Sequence, residues 1–566
     1  MGTVCRDLTG KNEVLFIYTQ RYVPGRAFEA IGSLGGLTLA SRVSACGYEG
    51  YSFAGITPKV IRLIREHREK LYAVCFYCDF DNRGAIRAIL AHFKNESFYK
   101  LVGGPHTMHV GPEDFDWFGA DAILCGDGEE SVIKWLDSHR GEAGELPGTL
   151  PQETTQDQKG EYELLSTFSA YPFPDDRRVI GPRTGLFSVI SARGCPHRCA
   201  FCFEGGNSKK LRPRPAAQVL EEIRYRLEHA PWLHYLFFAD DTFTFDIRRL
   251  EELCAGLKEI RREHDLVWFC EGHASFFRRY PHALSMMVDA GLVRMQIGME
   301  SGCDEVLDMY GKRIRAEDIR YTARLAWEAG LPQLAGNYII GGAGESEETA
   351  EKTRNFVLSL MEEFPGLLDI STTFPIPLSG TLLTGMPRDY GIAWLDTSFV
   401  TSLEDVAVNR TDFLTADDLC RARALFLHEL LLKMKELARD GRIPRDRILR
   451  TVELNLRYGI TDNWCGYIYK RDPWLMAYAG AILQRGFLPW QEAKAHPESL
   501  LIPMAVMPTA EAGGKPLPEE VVRYLLAADG RVLSQIIPQL HLSGEALERV
   551  ASAADQAFAM VYAVLQ

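Results

Sequence analysis

Residues 191–203 read Ser191-Ala-Arg-Gly-Cys195-Pro-His-Arg-Cys199-Ala-Phe-Cys202-Phe203, and this stretch decides the fold. Its three cysteines have the spacing C-x3-C-x2-C and directly follow the apolar run Leu186–Ile190, which is typical of a buried strand. Thiolates suit iron–sulfur clusters, and three of them on one loop can hold three corners of a [4Fe–4S] cluster. The fourth iron then stays open to a small chelating molecule. Zinc is the alternative, but it needs a fourth ligand at finger-like spacing, and His197 lies inside the loop.

The same motif, with the aromatic residue Phe201 before its third cysteine, resembles that of radical S-adenosylmethionine (SAM) enzymes. The resemblance implies that Cys195, Cys199 and Cys202 bind a [4Fe–4S] cluster and that SAM binds its open iron. It also implies an electron donor such as flavodoxin or ferredoxin. The electron would cleave SAM to a 5′-deoxyadenosyl radical, which takes hydrogen from an unactivated carbon.

The bulk composition is that of a large globular protein with about three or four domains. The chain has 566 residues, 46% of them apolar, and a formal net charge of −13, which argues against nucleic acid as a partner. The 13 cysteines are scattered, and neither a signal peptide nor a membrane-spanning run is evident, so we expect a cytoplasmic protein without a membrane partner. One basic group is either a solvated loop or a contact for an anionic ligand: Lys209, Lys210, Arg212 and Arg214.

Short apolar runs alternate with amphipathic stretches in residues 1–140, which predicts a doubly wound, Rossmann-like parallel sheet. The predicted strands are Val14–Tyr18, Leu71–Tyr77, Tyr99–Val102 and Ala122–Cys125. The predicted helices are Gly35–Ala45, Lys59–His67 and Arg83–Lys94. Two glycine-containing stretches, 103–107 and 126–130, follow predicted strands, at the edge where such sheets bind ligands.

The pattern G-G-P-H-x5-P-E from Gly103 to Glu113, followed by Gly126-Asp-Gly-Glu-Glu130, resembles the cobalamin-binding domain fused to many radical SAM enzymes. The motif D-x-H-x-x-G, whose histidine binds cobalt in other cobalamin domains, is absent, and Asp81 stands at the histidine position of a similar stretch. The resemblance therefore implies cobalamin without this histidine, with residues 76–83 facing the lower side of cobalt. The implied cobalamin contacts are Phe76, Tyr77, Gly103, Gly104, His106, Gly126, Gly128 and Glu129.

Residues 141–184 are rich in Gly, Pro, Glu and Gln and are interpreted as a linker. Alternation resumes in residues 185–383, where six βα repeats predict a partial (β/α)6 barrel with its chemistry at the carboxyl ends of the strands. The predicted strands are Leu186–Ile190, Leu233–Ala239, Leu266–Cys270, Val293–Ile297, Gln333–Ile340 and Leu368–Thr372. The predicted helices are Ala216–Glu228, Leu250–Arg261, Pro281–Ala290 and Ala316–Ala329.

Three loops on the barrel rim resemble the SAM-binding segments of the family: Ala239–Phe243, Gln296–Gly302 and Tyr338–Glu345. The SAM contacts that this resemblance implies are Asp240, Asp241, Gln296, Glu300, Ser301 and Ile340. The alternative is that the acidic residues cap the helices after each strand, and we prefer it for Glu345. The choice between Asp240 and Asp241 stays open.

Residues 384–566 are predicted to form a mainly helical domain that covers the substrate. The predicted helices are Asp417–Arg439, Val452–Tyr458, Pro473–Gln484, Glu519–Ala527 and Gly544–Leu565. We expect two cysteines, Cys303 and Cys465, to be buried free thiols rather than ligands.

Together the two resemblances imply a cobalamin-dependent radical SAM methyltransferase, acting on an unactivated carbon or phosphorus of a small molecule or peptide in natural-product or cofactor biosynthesis. A cyclase or ring-rearrangement enzyme built on the same two domains is the main alternative. A methylthiotransferase would need a second cluster on amino-terminal cysteines, and Phe16–Gln20 lacks the expected one. A non-catalytic cobalamin sensor would have no need of the three loop cysteines.

Overall fold

In a computed structural model the chain folds around two parallel β-sheets. The structure describes residues 8–20, 33–80, 82–109, 117–139, 171–204, 211–397, 407–439 and 442–460, and short pieces between 487 and 563. Among the described residues, no helix is both long enough and apolar enough to cross a membrane.

The first sheet has five parallel strands, which confirms the doubly wound prediction. Its strands are Glu13–Gln20 (β1), Glu49–Ile56 (β2), Leu71–Tyr77 (β3), Tyr99–Gly103 (β4) and Ala122–Ile123 (β5). Its helices are Leu34–Ala45 (α1), Thr57–His67 (α2), Arg83–His92 (α3) and Gly128–His139 (α4). The strand order is β2-β1-β3-β4-β5, so the order reverses between β1 and β3. In such sheets the reversal opens a ligand crevice at the carboxyl ends of the strands.

Strand β2 is absent from the predicted strands. Its sequence, Glu-Gly-Tyr-Ser-Phe-Ala-Gly-Ile, contains two glycines and only one β-branched residue, so its strand propensity is weak. Eight parallel residue pairs with β1 hold it at the edge of the sheet. Tertiary pairing therefore decides this strand, not local preference.

The second sheet has six parallel strands in the order β13-β12-β11-β10-β9-β6, as a partial (β/α)6 barrel requires. Its strands are Leu186–Val189 (β6), Tyr235–Phe238 (β9), Val267–Gly272 (β10), Leu292–Glu300 (β11), Gln333–Ile339 (β12) and Leu368–Thr373 (β13). The short strands Ala192–Arg193 (β7) and Arg212–Pro213 (β8) pair with each other beside it. Its helices are Ala216–His229 (α5), Ile247–Glu263 (α6), Ala274–Arg279 (α7), Ala283–Asp289 (α8), Asp304–Met309 (α9), Ala316–Glu328 (α10), Glu347–Glu363 (α11) and Leu382–Gly385 (α12).

The described end of the predicted linker, residues 171–184, is docked between the two sheets. The Ile180 N–H donates to the Ser52 carbonyl of β2 at 2.8 Å. On the other side Asp176 accepts two hydrogen bonds of 2.7 Å from Arg226 of α5, whose side chain is 1% exposed. This segment therefore ties the first sheet to the barrel.

The chain after residue 383 begins by completing the barrel. It contributes strands Ile392–Leu395 (β14) and Asn409–Thr411 (β15) and helices Ala416–Arg439 (α13) and Arg445–Tyr458 (α14). Leu419, Phe426 and Leu437 of α13 lie in the same buried core as the barrel strands. The predicted boundary at residue 383 therefore does not coincide with a break in this core.

Helix α14 lies at the amino-terminal ends of the barrel strands. Its Leu454 and Tyr458 pack on Val267 and Val293, which stand at the starts of β10 and β11. This is the end of the barrel opposite to the cysteine loop, so α14 does not cover a substrate there.

The last part of the chain is described only in pieces, and these contain strands as well as helices. They are Phe487–Leu488 (β16), Trp490–Ala493 (α15), Leu500–Pro503 (β17), Glu511–Ala512 (β18), Lys515–Pro516 (β19), Gly544–Gln556 (α16) and Met560–Ala563 (β20). The predicted helix Gly544–Leu565 is therefore wrong at Met560–Ala563, where β20 pairs with β16 and β17. The predicted helix Pro473–Gln484 and Cys465 lie outside the described residues, as does part of Glu519–Ala527.

Candidate functional site

The cysteine loop leaves β6 through two backbone anchors. The carboxylate of Asp240 accepts a 2.6 Å hydrogen bond from the Ser191 N–H and a second one from the Ser191 hydroxyl. Gly194 has a φ of 82°, which glycine adopts without strain, and its N–H donates to Asp241 Oδ2 at 3.1 Å. The loop thus starts from a fixed point on the carboxyl edge of the second sheet.

The three loop cysteines are free thiols that lie close together. Cys199 is buried, the other two are half-buried, and the Cys202 N–H donates to the Cys199 carbonyl at 3.1 Å. Burial and, after it, the neighbouring Cys202, Asp241 and Cys199 groups raise the pKa of Cys195 to about 12. Iron would counter this, because metal-bound thiols are deprotonated. Among the described residues, no group of three or more His, Cys, Asp or Glu side chains is arranged around a single metal position.

The far side of the loop is pinned to the barrel by residues that follow β11 and β13. The Ala200 N–H donates to the Tyr310 carbonyl at 2.9 Å, and the Leu383 N–H donates to the Ala200 carbonyl at 2.9 Å. The Phe201 ring packs edge-on against Tyr310, with ring centroids 5.0 Å apart. This contact with the buried Tyr310 helps to fix the cysteine loop in place.

A buried ion pair lies behind the thiols. Lys312 Nζ is 2.9 Å from Glu300 Oε1, and each residue is 6% exposed. Although burial opposes it, the Glu300 carboxylate and then the Cys199 thiol raise the pKa of Lys312. Glu300 itself has a φ of 60°, at a bulge where β11 pairs with β12. The SAM contact expected of Glu300 stays a prediction, and its partner in the structure is Lys312.

The two aspartates after β9 have different surroundings, which bears on the choice left open by the sequence. Asp240 is 3% exposed, and its carboxylate accepts hydrogen bonds from Ser191. Burial raises the pKa of Asp240 to about 6. Asp241 is exposed at the mouth of the barrel. Next to them, Gln296 Nε2 donates to Glu271 Oε1 at 3.2 Å, and burial, followed by Glu300, raises the pKa of Glu271 to about 7. Of the two aspartates, Asp241 is the one that faces the open site.

The remaining rim residues are held in place by the protein itself. Ser301 Oγ lies 2.8 Å from Thr353 Oγ1 and accepts from the Cys303 N–H at 3.1 Å, so its hydroxyl is engaged inside the fold. Ile340 is 2% exposed, and Cys303 is buried as expected. The SAM contact expected of Ser301 stays a prediction, and the partners of its hydroxyl in the structure are Thr353 and Cys303.

Glu345 does not cap the helix that follows it, which corrects the prediction for this residue. Ser346 is the N-cap of α11 and forms a capping box with Thr349. The Glu345 carboxylate turns back and accepts a hydrogen bond from the Gly341 N–H. Burial raises its pKa to about 7. It therefore orders the loop between β12 and α11.

A pair of stacked imidazoles borders the cysteine loop. His197 and His273 lie with ring centroids 3.7 Å apart and an angle of 15° between the rings. Burial, followed by the Lys312 ammonium, lowers the pKa of His197 to about 4 and that of His273 to about 2. Both rings are thus neutral at pH 7, and His197 packs on a histidine instead of completing a zinc site.

The carboxyl edge of the first sheet faces the mouth of the barrel. Burial and then Asp79 and Asp241 raise the pKa of Tyr77, which places the Tyr77 phenol within electrostatic reach of a barrel residue. Tyr18 Oη donates to Asp79 Oδ2 at 3.0 Å. Phe76 is 2% exposed and belongs to the core of the sheet, so its side chain does not reach this edge. Asp81 lies outside the described residues.

Gly104 makes the close backbone approach that its position predicts. Its φ is 108°, and an added Cβ would lie 2.7 Å from the Cys78 carbonyl oxygen. Only glycine fits there without displacing the backbone. The His106 N–H donates to the same Cys78 carbonyl at 3.2 Å, and Gly103 is half-buried beside them. The close contact at Gly104 is thus with the chain's own backbone just after β3.

The Gly126–Glu130 loop is tied to the barrel by ion pairs. Asp127 Oδ1 is 2.7 Å from Arg193 Nη1, and Asp127 Oδ2 is 2.5 Å from Arg212 Nη1. Glu129, 4% exposed, also pairs with Arg193. Gly126, with a φ of 87°, and Gly128 shape this loop. The Glu129 carboxylate expected to contact cobalamin is therefore engaged by the residue just before Gly194.

Several residues of this region were not anticipated from the sequence: Ser191, Arg193, Glu271 and His273. Glu271 could have been identified from the sequence as a candidate site residue, because it directly follows a predicted apolar strand. No sequence pattern indicated the role of Arg193, because the acidic residues that it pairs with lie 64 or more positions away. The basic residues that follow the cysteine loop have different partners. Arg212 pairs with Asp127, and Arg214 is 2.7 Å from the buried Glu222. Its members Lys209 and Lys210 lie outside the described residues.

Comparison with known proteins agrees with this geometry. The family model described as the Radical SAM superfamily matches residues 189–357. An uncharacterized methyltransferase of Pyrococcus horikoshii is 26% identical over 300 residues, covering 50% of this chain and 62% of its own length. The anaerobic magnesium-protoporphyrin IX monomethyl ester cyclase of Rubrivivax gelatinosus is 24% identical over 282 residues, covering 46% and 48%. The matches thus span about half the length of these curated relatives.

Two solved structures share the fold. The radical SAM methyltransferase TsrM of Kitasatospora setae, with cobalamin and a [4Fe–4S] cluster bound, has a TM-score of 0.51 at 17% identity and covers 66% of this chain and 74% of its own. The cobalamin-dependent SAM radical enzyme OxsB, with aqua-cobalamin and SAM bound, has a TM-score of 0.56 at 14% identity and covers 84% and 75%. At these identities the likeness shows the fold.

Proposed function

We propose that this chain, whose residues 189–357 make it a radical SAM enzyme, is a cobalamin-dependent methyltransferase that acts on an unactivated carbon or phosphorus of a small molecule or peptide. The observation that carries the proposal is that the carboxyl edges of the two sheets meet. Arg193, two residues before Cys195, pairs with Asp127 after β5, and Tyr77 at the end of β3 lies within electrostatic reach of Asp241. A substrate between these edges is reached from both sides.

The residues present fit the cofactors that the proposal needs. Cys195, Cys199 and Cys202 would hold the [4Fe–4S] cluster, and the carboxyl edge of the first sheet, at the turn from Gly103 to His106, would hold cobalamin. When bound, the cluster supplies the electron that cleaves SAM, and cobalamin supplies the metal that carries the methyl group. The protein holds the loop, orients Asp241 towards the site and keeps both stacked imidazoles neutral.

The names of the relatives support methyl transfer. The relative from Pyrococcus horikoshii and TsrM are both called methyltransferases, and TsrM and OxsB were solved with cobalamin bound. Methylation of an unactivated centre is the reaction for which a radical and a methyl carrier are needed together.

Anaerobic reconstitution with iron, sulfide and cobalamin tests the proposal. We expect about one cobalamin and one [4Fe–4S] cluster per chain, and 5′-deoxyadenosine when SAM and dithionite are added. With SAM that carries a CD3 group and a fractionated small-molecule extract, a product should carry CD3 in place of one hydrogen. Failure to bind cobalamin, or 5′-deoxyadenosine without any transferred label in every fraction, would contradict the proposal.

Cyclisation or ring rearrangement is the second candidate, because the relative from Rubrivivax gelatinosus is named a cyclase. Both reactions would use the same two sheets. The product mass separates them, since a rearrangement adds no CH2 unit from SAM.

Methylthio transfer is disfavoured by the positions of the amino-terminal cysteines. Cys75 packs on one face of the first sheet, whereas Cys78 and Cys125 pack on the other. Burial raises the pKa of Cys75 beyond its ordinary range and that of Cys125 to about 11, as expected for core thiols. These three cysteines do not converge on a second cluster site, and Cys5 lies outside the described residues.

A further inference from the structure

The cysteine loop opens between two short strands that pair with each other beside the barrel. Strands β7 and β8 have two residues each, and in their antiparallel pairing Arg193 lies directly opposite Arg212. The three cysteines of the loop all fall between these two arginines in the sequence. A ladder this short is marginal without further support. The Arg193–Arg212 pair is therefore the place where the cysteine loop has to be held closed.

This closing pair is electrostatically unfavourable by itself. Like charges directly opposite each other destabilise an antiparallel pair, and arginine stays protonated in proteins. The side chains of Arg193 and Arg212 are 21% and 11% exposed, so solvent and salt screen their repulsion only in part. The closed loop therefore needs negative charge at this place.

The negative charge comes from the other sheet. Asp127, in the loop between β5 and α4, has Oδ1 2.7 Å from Arg193 Nη1 and Oδ2 2.5 Å from Arg212 Nη1. One carboxylate thus bridges both ends of the cysteine loop, with the strong hydrogen bonds that two charged partners form. Glu129 also binds Arg193, so two carboxylates of the first domain face two guanidinium groups of the barrel. We name the three bridged residues the clamp: Asp127, Arg193 and Arg212.

The clamp lies between contacts made within the barrel and the first cysteine. On its outer side, the Arg214 N–H donates to the Ser191 carbonyl at 2.9 Å. On its inner side the chain passes through Gly194, which restrains the backbone less than any other residue type. The direction in which the chain reaches Cys195 therefore depends on the anchors beside Gly194, which are Arg193 and the hydrogen bond from the Gly194 N–H to Asp241.

The other end of the clamp lies at the edge of the first sheet where the proposed function places cobalamin. Asp127 is flanked by Gly126, with a φ of 87°, and by Gly128. Glycines on both sides leave the carboxylate more freedom than other residues would, and holding it in place costs conformational entropy. A ligand that packs on this loop bears that cost in advance, so a second ligand that needs the same order binds more tightly.

We propose that Asp127 is a positioning residue that couples the two cofactor sites, an inference that rests on the proposed function. It holds Arg193 and Arg212 together and so keeps the cysteine loop in the arrangement that binds the cluster. A ligand on the first sheet fixes Asp127, and a cluster in the loop fixes its two arginine partners. Each cofactor therefore binds more tightly when the other is present, and the factor is the same in both directions.

Equilibrium dialysis against methylcobalamin, in the dark and without oxygen, tests the coupling on the full chain. The dissociation constant is measured twice for each protein, once on chain stripped of iron by a chelator and once on chain reconstituted with iron and sulfide. For the wild type we expect the constant to be lower by about fivefold or more in the reconstituted chain. For D127N we expect the two constants to agree within about twofold. Neither measurement involves turnover.

The ratio of the two constants separates positioning from a loss of stability. A variant that was only less stable would keep or increase the ratio, because the cluster would stabilise its folded state. R212Q leaves Asp127 paired with Arg193 and releases only the far end of the loop, so its ratio should lie between those of the wild type and D127N. The matched control is E259Q, which makes the same carboxylate-to-amide change in the exposed Glu259–Arg262 pair of α6 and should keep the wild-type ratio.

Iron release to a chelator gives a second readout of the same coupling. Methylcobalamin should slow the release of iron from the reconstituted wild type, because it holds the clamp and with it the cysteine loop. It should leave the rate of release from D127N unchanged.

The coupling proposal is wrong if the wild type binds methylcobalamin equally well with and without the cluster, or if D127N or R212Q keeps the full wild-type ratio. It is also wrong if E259Q loses the ratio as D127N does. Failure of the wild type to bind methylcobalamin in either form would instead refute the proposed function.

Discussion

Replacing Asp127 with asparagine should weaken the contact between the two sheets. Asp127 sits between Arg193 and Arg212, at 2.7 and 2.5 Å, and the side chains of the Asp127–Arg212 pair are 12% and 11% exposed. Breaking a fully buried pair costs about 3–5 kcal/mol. Because these side chains keep some solvent, we expect the D127N substitution to lower the free energy of unfolding by about 2–3 kcal/mol.

A double-mutant cycle isolates the pair. D127N, R212Q and the double variant should give a coupling energy of about 1.5–3 kcal/mol in equilibrium urea unfolding of the apoprotein, followed by tryptophan fluorescence. The internal control is the pair Glu259–Arg262 on α6, with side chains 55% and 73% exposed, which should couple by less than about 0.5 kcal/mol. An interface coupling no larger than that of the control would refute this account of how the sheets are joined.

Three other predictions concern the cluster, the acid-sensitive loop and cobalt. Changing Cys195, Cys199 and Cys202 together to alanine should abolish reconstituted iron and SAM cleavage while near-native circular dichroism remains; four irons retained per chain would contradict the ligand assignment. Burial raises the pKa of Glu345 to about 7 from 4.5, so the folded state binds the proton more tightly than the unfolded chain. As the pH rises from about 4.5 to 7, the stability of the wild type should therefore fall by about 2–3 kcal/mol more than that of E345Q, in which the other buried acids still titrate; parallel pH profiles of the two proteins would refute it. In the paramagnetic resonance spectrum of bound cob(II)alamin, H106A should match the wild type, and nitrogen splitting lost only in H106A would show that His106 binds cobalt.

The sequence was sufficient for those parts of the fold in which local pattern and tertiary role agree. All six barrel strands were predicted, because each is a short apolar run followed by a loop and an amphipathic helix. The end of the chain shows the opposite case. The run Met560–Ala563 has a pattern that fits a helix as well as a strand, and its pairing with Leu500–Pro503 decides the outcome. A strand that is determined by pairing with a distant segment cannot be identified from its own residues alone.

The site shows the same division. The spacing of the cysteines could be read directly, and so could the acids at strand ends, such as Asp240 and Asp241. Which of the two acids faces the open site could not be predicted, because that depends on Ser191, whose N–H and hydroxyl bind the Asp240 carboxylate. The pairing of Arg193 with the Gly126–Glu130 loop was equally inaccessible, since a charged residue next to a cysteine carries no information about a partner in another sheet.

In its described residues up to 460, the chain after residue 383 takes part in the site indirectly, by supporting the loops of the barrel rim. Asn409 of β15 donates to the Gly341 carbonyl at 2.6 Å, and Thr411 donates to the Glu345 carbonyl at 2.7 Å, so this strand holds both ends of the loop after β12. Arg423 of α13 donates to Thr372 near the end of β13 at 3.1 Å. The loop proposed to lie behind SAM therefore owes its shape to residues more than 60 positions away. We therefore expect a substitution in β15 to act on SAM binding through this loop, although β15 itself contributes none of the residues proposed to contact SAM.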